Sequence, residues 1–385
     1  MTKKLYTLFV LLIISSMLLV ACGGGAANNT GANNADNNMA ANDSGNDGND
    51  SAATDDGGEA PAQDTGSTSP ILDRVRANGK VVCGSRTDLA GFGYLDADGN
   101  NVGFDIDLCR AVAAAVLGDP NAVEFVPLSA ADRGPALQTG EVDILSRNVT
   151  WTSSRDAQWG NFTTVMFYDG QGFMIRKDSG ITSTDQFDGA TVCVTSGTTT
   201  EKNLDTFFAD NNMSYEAVIF EETAAVYSAY EEGRCDITTS DKSQLASVRS
   251  GFANPDDHFI MDITISKEPL TPAVPHGDDS WFDIVKLVMY ALIDAEEYGV
   301  TQANVEEMKG SDIGNIRSLL GQEGDWGYGD LGLDPEALAN AIAAVGNYGE
   351  IYDRYMGPNG DAFTLPRGQN ELWSNGGLIY APPIK

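Results

Sequence analysis

Short apolar runs alternate with amphipathic stretches through the middle of the chain. Val81-Val82-Cys83-Gly84 reads as a strand that ends in a loop. Asp105 then stands as the cap of a helix through "IDLCRAVAAAVLG", with Gly118 as its stop. "VEFVPL" is a second strand, "AADRGPALQTG" a short helix and "VDIL" a third strand. A second unit repeats the order. Thr191-Val192-Cys193-Val194 is a strand entering a Ser/Gly/Thr loop, and "TTTEKNLDTFFADNN" is a helix with Thr198 and Glu201 spaced as a capping box. "YEAVIF", "AAVYSAYEEG" and "CDITTSD" follow as strand, helix and strand. Strands separated by helices imply a mostly parallel sheet in each unit. "GEVDI" at 140–144 and "GRCDI" at 233–237 fall at equivalent places, as two similar lobes require.

Two extended segments, Tyr168 to Gly180 and Ile263 to Pro275, lie where the chain would cross between lobes. Two crossings return the chain to the first lobe after the second is complete. The expected division is residues 70–173 with 269–385 as lobe 1 and 174–268 as lobe 2. The fold class is α/β: two similar α/β lobes joined by two crossing strands, with a helical C-terminal extension. That extension shows helical periodicity in "SWFDIVKLVMYALIDAEEYG", "ANVEEMKG", "IGNIRSLLG" and "DPEALANAIAAVGNYGEIYDRYMG". The tail "LWSNGGLIYAPPIK" reads as an ordered cap.

The N-terminus has a different pattern. Lys3 and Lys4 precede an apolar run, Leu5 to Val20, closed by Leu19-Val20-Ala21-Cys22. This is the layout of a secretory signal. The run is shorter than the roughly 20 residues of a membrane span. Cysteine directly after "LVA" resembles a bacterial lipobox, so residues 1–22 are expected to be a lipoprotein signal with Cys22 as the lipidated residue. Residues 23–69 carry no Lys, Arg or aromatic residue and are rich in Gly, Asn, Ala, Asp and Ser. Such a segment buries too little apolar surface to offset its ordering entropy and is expected to be a tether.

The net charge of −33 excludes a nucleic-acid partner and adhesion to anionic lipid through the protein surface. The membrane is therefore reached through a lipid anchor only, and the chain is expected to be an extracytoplasmic monomer. Besides Cys22, four cysteines remain: Cys83, Cys109, Cys193 and Cys235. An even set in an exported chain suggests disulfides, with three pairings open by count. Their clustering favours Cys83–Cys109 and Cys193–Cys235, one per lobe. No CxxC or nearby histidine accompanies them, so no metal site is expected.

The chain has two histidines, His258 and His276, and lacks GxSxG, HExxH, P-loop and GxGxxG signatures in context. No catalytic residue and no cofactor is expected. Anion binding is better supported. In open α/β sheets ligands bind at the C-terminal ends of strands, where helix N-termini offer free N–H groups. Two such loops stand out: "SRNVTWTSSRD", with Asn148, Thr150 and Arg155, and "SGTT", with Gly197, Thr198 and Thr199. Arg155 would grip a carboxylate with two prongs. Thr150 and Thr199 would add hydroxyl or amide donors. Asp241, at the end of "CDITTSD", would supply the counter-charge for an ammonium. An α-amino acid zwitterion carries both charges. Each residue also has a plain reading: Arg155 pairing with Asp156, Thr198 and Thr199 as caps, and Asp241 as a turn residue.

These residues, with "GFDIDLCRAVAAAVLGD", "LQTGEVDILSRNVTWTSSRD", "YDGQGFMIRKD", "VCVTSGTTTEKNL", "GRCDITTSDKS" and "ISKEPLTPAVPHGDDSWFDIVK", resemble the substrate-binding proteins of polar amino-acid ABC transporters. The tail resembles the longer subgroup tied to general L-amino acid uptake. The resemblance runs from about Ile71 to the C-terminus. It implies the type II periplasmic-binding-protein fold, lobe closure on the ligand and delivery to ABC permease subunits. It implies an α-carboxylate on Arg155, Thr150 and Thr199, and an α-ammonium on the Asn148 carbonyl and Asp241. Phe92 stands where the family has an aromatic near the ligand. Many relatives sandwich the ligand side chain between aromatics near Leu89 and Ala130, both aliphatic here. Basic-amino-acid binders carry an acid at the position of Arg86. The expectation is a roomy pocket, with Arg86 facing either ligand or solvent, that favours Glu, Gln, Asp or Asn. The alternative is an enzyme on the same fold, such as a dehydratase of cyclic acids.

Overall fold

The computed structural model describes residues 69–385. The signal segment, Cys22 and residues 23–68 of the expected tether lie outside them. Ser69 is fully buried and caps the helix Pro70–Asn78. Its hydroxyl donates to Asp278 Oδ2 at 2.9 Å and accepts from the Leu72 amide.

Two five-stranded sheets form the two lobes. In the first, strand order runs 123–127, 81–85, 144–145, 273–274, 161–162. In the second it runs 215–220, 190–195, 237–241, 171–176, 258–260. In each, the first three strands are parallel and the fourth is antiparallel to the third. The short internal repeat has a common job. Asp143 accepts from the Val82 amide at 2.8 Å, and Asp236 accepts from the Thr191 amide at 2.9 Å. Each aspartate ties the entry of its lobe's third strand to the start of the first.

The lobes are joined by a two-stranded antiparallel ribbon, Phe167–Asp169 against Glu268–Leu270. A disulfide links Cys83 on the strand Val81–Ser85 to Cys109 on the helix Phe104–Leu117. A second links Cys193 to Cys235. Each closes a loop within one lobe, at sequence separations of 26 and 42.

The C-terminal extension packs on lobe 1. The stretch around Gly346 is two helices, Ala337–Val345 and Tyr348–Met356, because Gly346 takes φ +83° and Asn347 starts a new capping box with Glu350. Tyr352 stacks on Phe167 of the ribbon with centroids 6.0 Å apart. Asn370 accepts from the Tyr168 amide at 2.6 Å and donates to the Tyr168 carbonyl at 3.1 Å. The extension thus covers the outer face of one crossing strand.

Two local readings need correction. Asp105 is not the cap of its helix. Gly103 holds that place with φ +134°, a conformation and a closeness that bar a side chain: a Cβ there would lie 2.2 Å from the Phe92 carbonyl oxygen. The capping box at Thr198 is also half formed. Thr198 accepts from the Glu201 amide at 3.1 Å, but the Glu201 carboxylate reaches the Gly197 amide instead.

Candidate functional site

The parallel strands of both lobes end on one cleft, which encloses about 410 Å³ of space, part of it open to solvent. Lobe 1 contributes Arg86 just past its first strand, Arg133 at the start of the helix Arg133–Thr139, and Arg147, Asn148 and Thr150 past its third strand. Arg155 follows on the helix Ser153–Gln158. Lobe 2 answers with Thr198 and Thr199 at a helix N-terminus and Asp241 at the end of its third strand.

Arg155 is not a surface arginine paired with Asp156. It is 7% exposed, and Asp156 instead accepts from the Phe162 amide at 3.3 Å. The guanidinium stacks on Trp159 at 4.7 Å and donates to the Thr150 carbonyl at 3.0 Å. Burial lowers its pKa, with the charges of Glu268 and Asp241 opposing. Arg86 does not face solvent either. At 3% exposure it donates to Asp88 at 2.7 Å, to Asn148 Oδ1 at 3.1 Å and to Gln244 Oε1 of lobe 2 at 3.2 Å. Asn148 takes φ +34° and donates its amide to Asp105 at 2.7 Å. Burial pushes Asp105 up to about 6.

Two cleft arginines were missed from sequence. Arg133 donates to the Ala130 carbonyl at 3.0 Å and lies 5.9 Å from the Trp159 ring centroid. Burial and the charges of Arg147, Arg155 and Arg86 hold its pKa well below the usual value. Arg147 donates to the Leu128 carbonyl at 2.6 Å, and burial lowers it to about 9. Among the described residues neither these two nor Arg155 forms an ion pair. Three buried cations without acidic partners call for an anion. Opposite them, Asp241 is pushed well above the usual range by burial and by the charges of Asp169 and Glu268. A cation beside it would reverse that.

Not every expected residue faces the cleft. Phe92 packs in the core against Phe104 and Phe167, with edge contacts at 6.5 and 5.2 Å. Gly197 has its amide taken by Glu201. Ala130 lines the cleft while Leu89 is buried elsewhere. Arg133 and Arg147 line the same cleft as Ala130. An arginine before a glycine in a strand-end loop, as in "DRG", was the available signal.

A cleft between two matched lobes, with arginines on one wall and an aspartate on the other, defines a two-lobed binder of small charged solutes. The profile of the bacterial extracellular solute-binding proteins, family 3, matches residues 81–304. The chain is 52% identical to the general L-amino acid-binding periplasmic protein AapJ of Rhizobium johnstonii, over 82% of this chain and 92% of that one. It is 49% identical to the glutamate/glutamine/aspartate/asparagine-binding protein BztA of Rhodobacter capsulatus, over 82% and 93%. A periplasmic binding protein from Brucella ovis, solved with glutathione bound, superposes with a TM-score of 0.78 at 48% identity, covering 82% of this chain and 99% of that one. The chain belongs to this extracellular solute-binding family and is a binding protein, not an enzyme.

Proposed function

We propose that this protein captures L-amino acids with acidic or amide side chains by closing its lobes, and passes them to the permease of an ABC transporter. The carrying observation is the charge layout of the cleft: Arg155, Arg133 and Arg147 are buried with no ion pair among the described residues, and Asp241 lines the same cleft from lobe 2. Arg155 takes the α-carboxylate by a two-pronged contact, helped by the backbone amides of Thr150 and Thr199. Asp241 and the Asn148 carbonyl take the ammonium. Arg86, Arg133 and Arg147 face the ligand side chain and repel lysine and arginine. The closed form is favoured because only there do both lobes touch one ligand.

A thermal-shift screen against the twenty amino acids tests this, since a ligand that binds only the folded state raises Tm. Glutamate, glutamine, aspartate and asparagine should give the largest shifts. Tightest binding of arginine would overturn the reading. Glutathione belongs in the same panel, because it presents a zwitterionic head and a second carboxylate to a cleft with spare arginines.

The protein is held at the membrane by lipid on Cys22 and acts as a monomer. Cys22→Ser should move it from the membrane fraction to the soluble extracytoplasmic fraction, and retention in the membrane would sink the anchor.

A further inference from the structure

Glu268 lies on the crossing strand Glu268–Leu270, behind the cleft, and is 1% exposed. Four donors converge on its carboxylate. Thr150 Oγ1 at 2.6 Å and Thr199 Oγ1 at 2.8 Å both donate to Oε2. Ser266 Oγ at 2.5 Å and Asn203 Nδ2 at 3.0 Å donate to Oε1. A threonine hydroxyl has one proton and two lone pairs. Once the proton is given to Glu268, the oxygen offers only lone pairs to anything in the cleft. Thr150 and Thr199 both line that cleft, 3.4 Å apart, one from each lobe.

We propose that Glu268 is a positioning residue for ligand capture. By taking the hydroxyl protons of Thr150 and Thr199, it turns both oxygens into acceptors for the ligand's ammonium and ties that orientation to lobe closure. This rests on the amino-acid reading above and alters one part of the sequence expectation. The two hydroxyls do not donate to the α-carboxylate; that donation is left to Arg155 and backbone amides. Because one hydroxyl comes from each lobe, parting the lobes breaks the pair, and the acceptor site exists only in the closed form.

The test is calorimetry on the full folded chain and on Glu268→Leu, with two pairs of probes: L-glutamate against glutarate, and L-glutamine against glutaramate. Each second member lacks only the ammonium. Leucine accepts no hydrogen bond, so the hydroxyl protons of Thr150 and Thr199 lose their acceptor and are free to turn toward the cleft. The expected result is at least a tenfold fall in affinity for the amino acid, with the des-amino acid unchanged or tighter. An equal loss for both members of a pair, or no loss, overturns the proposal. If Glu268→Leu does not fold, Thr199→Val carries the test, since it removes one acceptor and leaves Glu268 in place. It should lower affinity for the amino acid and not for its des-amino partner, and equal losses count against the proposal. Wild-type protein that binds neither amino acid overturns the amino-acid reading itself, and this inference with it.

Discussion

Arg155 lies over Trp159, one helical turn further on, with the guanidinium carbon 4.7 Å from the ring centroid. The contact explains how a buried cation can stand without an acid. The indole face stabilises the charge, and the Thr150 carbonyl fixes one nitrogen at 3.0 Å. The remaining donors are left for a ligand. Arg155→Ala should cost roughly 2–5 kcal/mol of amino-acid affinity, as expected for one half of a buried charge-assisted pair. Arg155→Lys should not restore it, because an ammonium neither stacks in this way nor offers two parallel donors. Calorimetry decides, and unchanged affinity in the alanine variant would remove Arg155 from the site.

The Trp159 platform itself depends on a missing side chain. A Cβ on Gly134 would sit 2.6 Å from the indole Nε1 and 2.7 Å from Cε2. Trp159 also underlies Arg133, so Arg155 and Arg133 rest on one ring. Gly134→Ala should push the ring and loosen both. Overpacking of this kind costs about 1–3 kcal/mol of stability. The more telling outcome is ligand affinity, which should fall about tenfold or more, a shift of about 1.4 kcal/mol. Chemical denaturation and calorimetry read the two effects separately. A variant with lower stability and intact affinity would show that the platform does not position the arginines.

How much of this was visible in the sequence differs from element to element. The strands and helices of both lobes were legible because their apolar periods are clean, and the disulfides because clustering left one compact pairing. Arg155, Thr150, Thr199 and Asp241 were expected on the segments that follow strands, and all four line the cleft. Arg133 and Arg147 were not. In "AADRGPALQTG" an arginine looks like the wet face of a short helix, and in "SRNVT" it looks like part of a turn. Arg147 is held by the Leu128 carbonyl from the loop past a neighbouring strand, and Arg133 packs over Trp159 from a later helix, while its bond to the Ala130 carbonyl is local. Glu268 was hidden for a similar reason: its four donors are far apart in sequence, apart from Ser266. Phe92 was expected near the ligand from the resemblance alone, and its ring packs in the core against Phe104 and Phe167.

The two hidden arginines carry a selectivity prediction. Among the described residues Arg133 and Arg147 form no ion pair, so a side-chain carboxylate gains more from them than a neutral amide does. Arg133→Gln should weaken L-glutamate at least tenfold more than L-glutamine, and Arg147→Gln should act in the same direction. Competition binding with the two amino acids gives the ratio directly. Equal losses would mean that these side chains shape the cleft without reading the charge of the ligand.

Asp294 sets a stability test away from the cleft. It lies on the helix Asp279–Glu297 at 2% exposure, and its Oδ2 has no hydrogen-bond partner among the described residues. Burial, with the Glu297 charge adding, pushes it up to about 7 against an opposing bond from the Ile384 amide. Burial likewise pushes Asp105 and Asp169 up to about 6. A carboxyl with a raised pKa binds its proton more tightly in the folded than in the unfolded chain, where the ordinary value is 3.8. Its stabilising contribution is whole below that value and is lost as pH rises through the folded value. The Tm of ligand-free protein should therefore fall from pH 5 to pH 8. General repulsion in so acidic a chain acts in the same direction, so the slope alone does not identify the group. Asp294→Asn does. It keeps an acceptor for the Ile384 amide and removes the buried charge, so Tm should rise at pH 8 and the curve should flatten between pH 6 and 8. A curve parallel to wild type across that window would show that Asp294 stays ionised in the folded protein.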